Sequence, residues 1–137
     1  MINEDKTNIT FSHTVSSLYS KEGSKFQEKK YLPKIEFILK YFKQNSDKIF
    51  LLDIGVGYGF LLYLLEQKFG FKHLFGMDPF SESIKIAKNF TSADIRKGKI
   101  EINPWPFDDV KFDVITCLDV LEHLKNPEIF FINVRKY

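Results

Sequence analysis

Ten residues, Leu51 to Phe60, restrict this chain more than any other stretch. Leu-Leu-Asp-Ile-Gly-Val-Gly-Tyr-Gly-Phe is an apolar run that meets a carboxylate and then breaks into three alternating glycines. The run from Ile49 to Leu52 reads as a strand buried on both faces, which in a parallel sheet requires helices above and below. Gly55, Gly57 and Gly59 let the chain turn sharply and let a ligand lie against bare backbone before a helix begins.

The flanking sequence repeats the pattern. Pro33 is placed as an early helical residue, and Ile35, Ile38, Leu39 and Phe42 follow at helical spacing, so a helix is predicted over 32–44 and should pack on the sheet. Leu61, Leu62, Leu64, Leu65 and Phe69, stopped by Gly70, predict a helix over 58–69. Leu74 to Asp78 is a second strand. Pro79 turns the chain, and Ser81 is an N-cap before Ile84, Ala87 and Phe90. Strand three is expected at Lys99 to Ile102, and strand four at Phe112 to Leu118 after the Pro-Trp-Pro turn. Asn126, Pro127 and Glu128 then cap and open a last helix through Phe130, Phe131 and Val134. Alternating strands and helices predict a doubly wound, Rossmann-like α/β parallel sheet, with ligands at the carboxyl ends of its strands.

Strand four is apolar on both faces, yet no further strand follows it before Tyr137. The expectation is that the C-terminal strands are missing and that this is the N-terminal part of a longer domain. The alternative is that a partner, or a second copy, covers the edge of strand four.

Acids cluster at the predicted strand ends: Asp53, Asp78, Glu101 and Asp119 should line one rim. A carboxylate two residues before the first glycine would repel a pyrophosphate, and Tyr58-Gly59-Phe60 lacks the Gly-Lys-Ser/Thr of a phosphate loop. The dinucleotide fingerprint is Gly-x-Gly-x-x-Gly, but here the third glycine comes one residue early. An acidic rim instead favours S-adenosylmethionine (SAM), which has no phosphate but carries an ammonium, a sulfonium and a ribose diol. Asp78 stands where a ribose-binding carboxylate belongs in either cofactor class.

Three stretches carry a family resemblance. Asp53-Ile-Gly-Val-Gly-Tyr-Gly59, Gly76-Met-Asp-Pro-Phe80 and Phe112-Asp-Val-Ile-Thr-Cys-Leu-Asp-Val-Leu-Glu-His123 resemble, in order, the first, second and fourth-strand motifs of class I SAM-dependent methyltransferases. The third stretch is most similar to the branch containing the ubiquinone-biosynthesis O-methyltransferases. The resemblance covers residues 31–137 and implies the strand order 3-2-1-4. It implies that Asp53 and the backbone of Gly55, Gly57 and Gly59 hold the methionine end of the cofactor. Asp78 would take the ribose hydroxyls, and Pro79 and Phe80 would flank the adenine. Glu101, where the family more often carries Asp, would meet the adenine amino group with Ile102 beside it. Cys117 and Leu118 would offer backbone to the methionine end. The implied reaction is transfer of a methyl group to an O or N of a small-molecule acceptor. A non-catalytic fragment or partner-binding module is the alternative.

Asp119, Glu122 and His123 fall just past strand four and leave three readings open. His123 is a general base, since imidazole titrates near neutrality. Alternatively the three side chains are metal ligands, as in the similar motif of small-RNA 2′-O-methyltransferases, although a full site needs another ligand and no metal is assigned. Otherwise Glu122 and His123 only pair to hold the turn.

The remaining sequence bounds these readings. At 137 residues the chain is one domain, with a polar leader or cofactor flap over 1–30. A net charge of +2 without a basic block gives no indication of nucleic acid. Cys117 is the only cysteine, no apolar stretch approaches the roughly 20 residues of a membrane span, and residues 1–10 lack a secretory pattern, so a cytoplasmic setting is expected. Trp105 between two prolines reads as a packed turn.

Overall fold

The computed structural model describes residues 16, 17, 19–42 and 45–137. Most of the expected leader, with His13, lies outside the described residues. The chain divides into two compact units, one ending at Lys40 and one running from Tyr41 to Tyr137. Helix α1, Lys21–Phe42, contributes most of its length to the first and buries Ile35 and Ile38. It starts well before the apolar spacing indicated, so Pro33 lies inside the helix rather than in its first turn. Residues 21–31 are rich in Lys, Glu and Gln, which favour helix but leave no apolar period to read. Among the described residues, no helix is long and apolar enough to cross a membrane.

The second unit alternates strand and helix. Its elements are β1, Phe50–Ile54; α2, Phe60–Phe69; β2, His73–Asp78; α3, Ser81–Ala87; β3, Asp94–Lys97; and β4, Val114–Cys117. A single 3-10 turn, Leu121–His123, and a helix α4, Glu128–Val134, complete it. All pairings are parallel and the order is β3-β2-β1-β4, as the resemblance implied.

Helix α2 stops where expected, because Gly70 takes a left-handed conformation and returns its N–H to the Leu65 carbonyl. The other cap expectations shift by one residue. Ser81 is the first residue of α3 rather than its cap. Phe80 takes the cap position without a side-chain cap bond, and ahead of it the Asp78 Oδ1 accepts the Phe80 N–H at 2.9 Å. Asn126 contributes only its carbonyl, which accepts the Ile129 N–H, and α4 begins after Pro127.

The third strand is displaced from its expected position. It runs over Asp94–Lys97, with Ile95 fully buried and Arg96 and Lys97 exposed. An edge strand needs few apolar residues and is commonly marked by charge, so its sequence does not look like a buried strand. The apolar signal at Ile100 belongs to a loop that turns back beneath the sheet. There Ile100, Trp105 and Phe107 pack with Leu52, Ile54 and Met77 and with Ile129, Phe130 and Val134. Trp105 is 1% exposed, stacks on Tyr137 with ring centroids 4.7 Å apart, and donates its indole N–H to the Ile100 carbonyl at 3.2 Å. It is the packed turn that its flanking prolines indicated.

The opposite sheet face carries α2. A methyl group at Gly76 would come within 3.0 Å of Val56 and 3.2 Å of Leu62, so the missing side chain is what lets the helix approach. The two-residue period of a strand places Asp53 and Asp78 on this same face. Thr116 joins them, because it is the register partner of Asp53.

Candidate functional site

Where the four strands end, a cavity of about 760 Å³ opens between the glycine turn, the turn after β2, the loop after β3 and the turn after β4. Its size falls in the range of about 300–1,000 Å³ usual for small-molecule sites. Of the residues singled out from sequence, Gly55, Asp78, Pro79, Phe80, Glu101 and His123 line it. Asp53, Gly57, Gly59, Ile102 and Cys117 do not. Glu101 sits in the loop after β3 rather than in the strand, and Ile102 is 59% exposed beside a smaller depression.

The three glycines of the turn differ. Each has a positive φ, of 76°, 53° and 83° in order. A Cβ on Gly55 would fall 2.3 Å from Val120, and one on Gly59 would fall 2.8 Å from the Cβ of Ala87 in α3. Around Gly57 the nearest atom would be 4.0 Å away. Gly59 thus serves the packing of α2 on α3, while Gly57 leaves its backbone approachable.

Asp78, at the end of β2, fixes this turn. Its Oδ2 accepts the Gly57 N–H at 3.0 Å while its Oδ1 takes the Phe80 N–H, so one carboxylate joins both loops at the cavity edge. Asp53 is as deeply buried, at 5% exposure, but is held by a side chain: the Thr116 hydroxyl donates to its Oδ1 at 2.7 Å. Burial pushes the Asp53 carboxyl up to about 7 against the lowering effect of that hydrogen bond, and the charge of Asp78 adds to the push. Cys117 is pushed up to about 12, first by burial and then by the charges of Asp53 and Glu122, which leaves it a neutral thiol.

Beyond β4, Asp119 adopts a left-handed φ of 57°, a conformation that aspartate tolerates better than most side chains. It lines the cavity with His123, whose own N–H returns to the Val120 carbonyl at 3.0 Å. Among the described residues, no three His, Cys, Asp or Glu side chains gather closely enough to hold a metal ion, so Asp119, Glu122 and His123 are not a preassembled ligand set.

Sequence reasoning missed Thr116, Lys97, Lys99 and Val120. Thr116 was visible as the one polar residue within Val114-Ile-Thr-Cys-Leu118, but its meaning depends on register. Lys97 and Lys99 line the cavity because β3 ends earlier than expected.

The ubiquinone biosynthesis O-methyltransferase of Saccharomyces cerevisiae mitochondria is 35% identical over 89 residues, which is 61% of this chain and 28% of that protein. The tRNA U34 carboxymethyltransferase of Nautilia profundicola is 34% identical over 88 residues, again 61% and 28%. The chain therefore spans well under half the length of these curated relatives. The SAM-bound amino pentose methyltransferase CalS10 of Micromonospora echinaspora shares the fold, with a TM-score of 0.60 at 18% identity over 74% of this chain and 44% of that one. A family model described as a methyltransferase domain matches residues 24–137, and the chain belongs to that family.

Proposed function

We propose that this chain carries the SAM-binding part of a methyltransferase that acts on an O or N of a small-molecule acceptor. The observation that carries the reading is the charge at the strand ends. Asp78 borders the cavity and holds the glycine turn through the Gly57 N–H, Asp53 is buried behind that turn, and Lys97 and Lys99 lie across the cavity at the end of β3 and in the loop after it. A pyrophosphate placed on the turn would meet the Asp78 carboxylate, whereas an ammonium and a sulfonium would be attracted. The residues fit the cofactor on this ground, and the open backbone at Gly57 fits a ligand laid against the turn.

In this reading Asp53 and the glycine turn set the field at the methionine end. Asp78 binds the ribose diol with the lone pairs left free by its two backbone bonds, and Pro79, Phe80, Glu101 and Ile102 border the adenine. The bound cofactor supplies an electrophilic methyl group. The protein orients the acceptor, excludes water and takes up its proton, for which His123 is the candidate base. The O or N choice follows relatives whose names include an O-methyltransferase and an N-methyltransferase of Papaver somniferum.

A second reading is a partner-binding module without activity of its own. It is favoured by β4, which among the described residues pairs with β1 alone, and by Phe131 and Ile132 of α4, which are 56% and 61% exposed.

Titration calorimetry of the folded chain tests the first reading. SAM and S-adenosylhomocysteine should bind, NADH should not, Asp78→Ala should abolish binding and His123→Ala should leave it intact. A folded chain that binds neither adenosyl ligand, or one in which the two variants exchange behaviour, would overturn the assignment.

A further inference from the structure

Resting on the assignment of the cavity to SAM, we infer that Asp53 is the proton-linked acid of this site. It carries a proton while the cavity is empty, releases it to solvent when the cationic cofactor enters, and is positioned by Thr116.

The argument begins from an asymmetry between two neighbouring carboxylates. Asp53 on β1 and Asp78 on β2 share one sheet face at adjacent strand ends, and each is 5% exposed. Asp78 receives two backbone N–H donors, which stabilise its negative charge. Asp53 receives a single hydroxyl. Two nearby buried carboxylates are costly to ionise together, and the proton is kept by the one with the poorer set of donors.

The surroundings give Asp53 no other relief. On its own sheet face it has Asp78 from β2 and Thr116 from β4, while Cys117 of β4 points to the other face. The glycine turn that follows it brings no charged side chain. The influences on it are burial, the Thr116 hydroxyl and the Asp78 charge, with Lys97, the register partner of Asp78, one strand further away. Burial and the Asp78 charge place its titration at about 7 despite the Thr116 bond.

Asp53 does not itself border the cavity, but Ile54 and Gly55, which follow it directly, do, so a cation held there changes this balance through the glycine turn. The O–H bond of Asp53 breaks, its electron pair stays on the carboxylate, and the proton passes to buffer. The ionised acid then has a positive charge nearby to offset the repulsion of Asp78. Thr116 acts through Asp53: its hydroxyl stabilises the ionised form, so it sets the pH at which the exchange occurs.

Calorimetry of SAM binding in phosphate and in Tris, buffers that differ in ionisation enthalpy, reads the proton directly. At about pH 7 the expected release is about half a proton per cofactor, and the affinity should rise about twentyfold between about pH 5.5 and pH 7.5. S-adenosylhomocysteine lacks the sulfonium charge and should release fewer protons. Asp53→Asn should abolish the release. Should that variant fail to fold, Thr116→Val should move the midpoint of the affinity profile to higher pH. The infrared difference spectrum of the unaltered chain should also show a carboxylic-acid carbonyl band disappearing on addition of SAM.

SAM binding without proton release at about pH 7, release that persists in Asp53→Asn, or equal release by the two ligands would overturn the inference. Absence of any binding heat at every pH would instead overturn the cofactor assignment on which it rests.

Discussion

The centre of the sheet and its β4 side are built differently. Around β1 and β2 nearly every side chain is buried, and the polar ones are bonded: Asp78 joins two loops, Asp53 holds Thr116, and Gly59 admits Ala87. Around β4 and α4 the side chains are mostly half-buried, Asp119 sits in a left-handed turn, and Phe131 and Ile132 face outward. The first region is tightly constrained before any ligand arrives. The second keeps its groups accessible.

The sharpest way to break that contrast is to overfill the tight region. Gly59→Ala combines a positive φ with a clash against Ala87 and should cost about 4 kcal/mol in urea denaturation, whereas Gly57→Ala should cost only about 1 kcal/mol. Equal losses would mean that α2 and α3 are not closely packed.

Next in size is a pH effect. Because folding raises the Asp53 carboxyl to about 7 from an ordinary value near 3.8, the folded state binds the extra proton between those limits. Its contribution is fully present below about pH 4 and is lost as pH rises through about 7, a change on the order of a few kcal/mol. Chemical denaturation of the ligand-free chain across that window should show stability falling with pH, and Asp53→Asn should flatten the slope. A rise with pH that depends on Asp53 would reverse the assignment.

Asp78→Ala leaves two N–H groups unpaired and should cost about 2 kcal/mol besides cofactor binding. At the other end, Phe131→Ser with Ile132→Ser should change stability by less than about 0.5 kcal/mol while lowering any self-association measured by sedimentation. A large stability loss there would show that α4 is as constrained as α2.

Legibility in the sequence follows the same division. The apolar run at Leu51, the glycines and Asp78 announce their positions because burial on both faces and positive φ leave few alternatives. The order β3-β2-β1-β4 followed from the family resemblance. β3 was misplaced because an edge strand with one buried residue, Ile95, carries less apolar signal than the loop at Ile100 that packs beneath the sheet. The onset of α1 was missed because its first half is polar. The Asp53 to Thr116 bond was invisible since it spans 63 residues and depends on strand register.

Trp105 is the only tryptophan in the chain. Its indole is buried, stacked on Tyr137 and bonded to the carbonyl of Ile100, whose side chain borders the cavity. The molecule thus contains a single indole, separable from its six tyrosines by excitation at the red edge of the absorption band, one hydrogen bond away from its site. A shift in that one emission on titration would follow occupancy in real time without label, dye or radioactive methyl group.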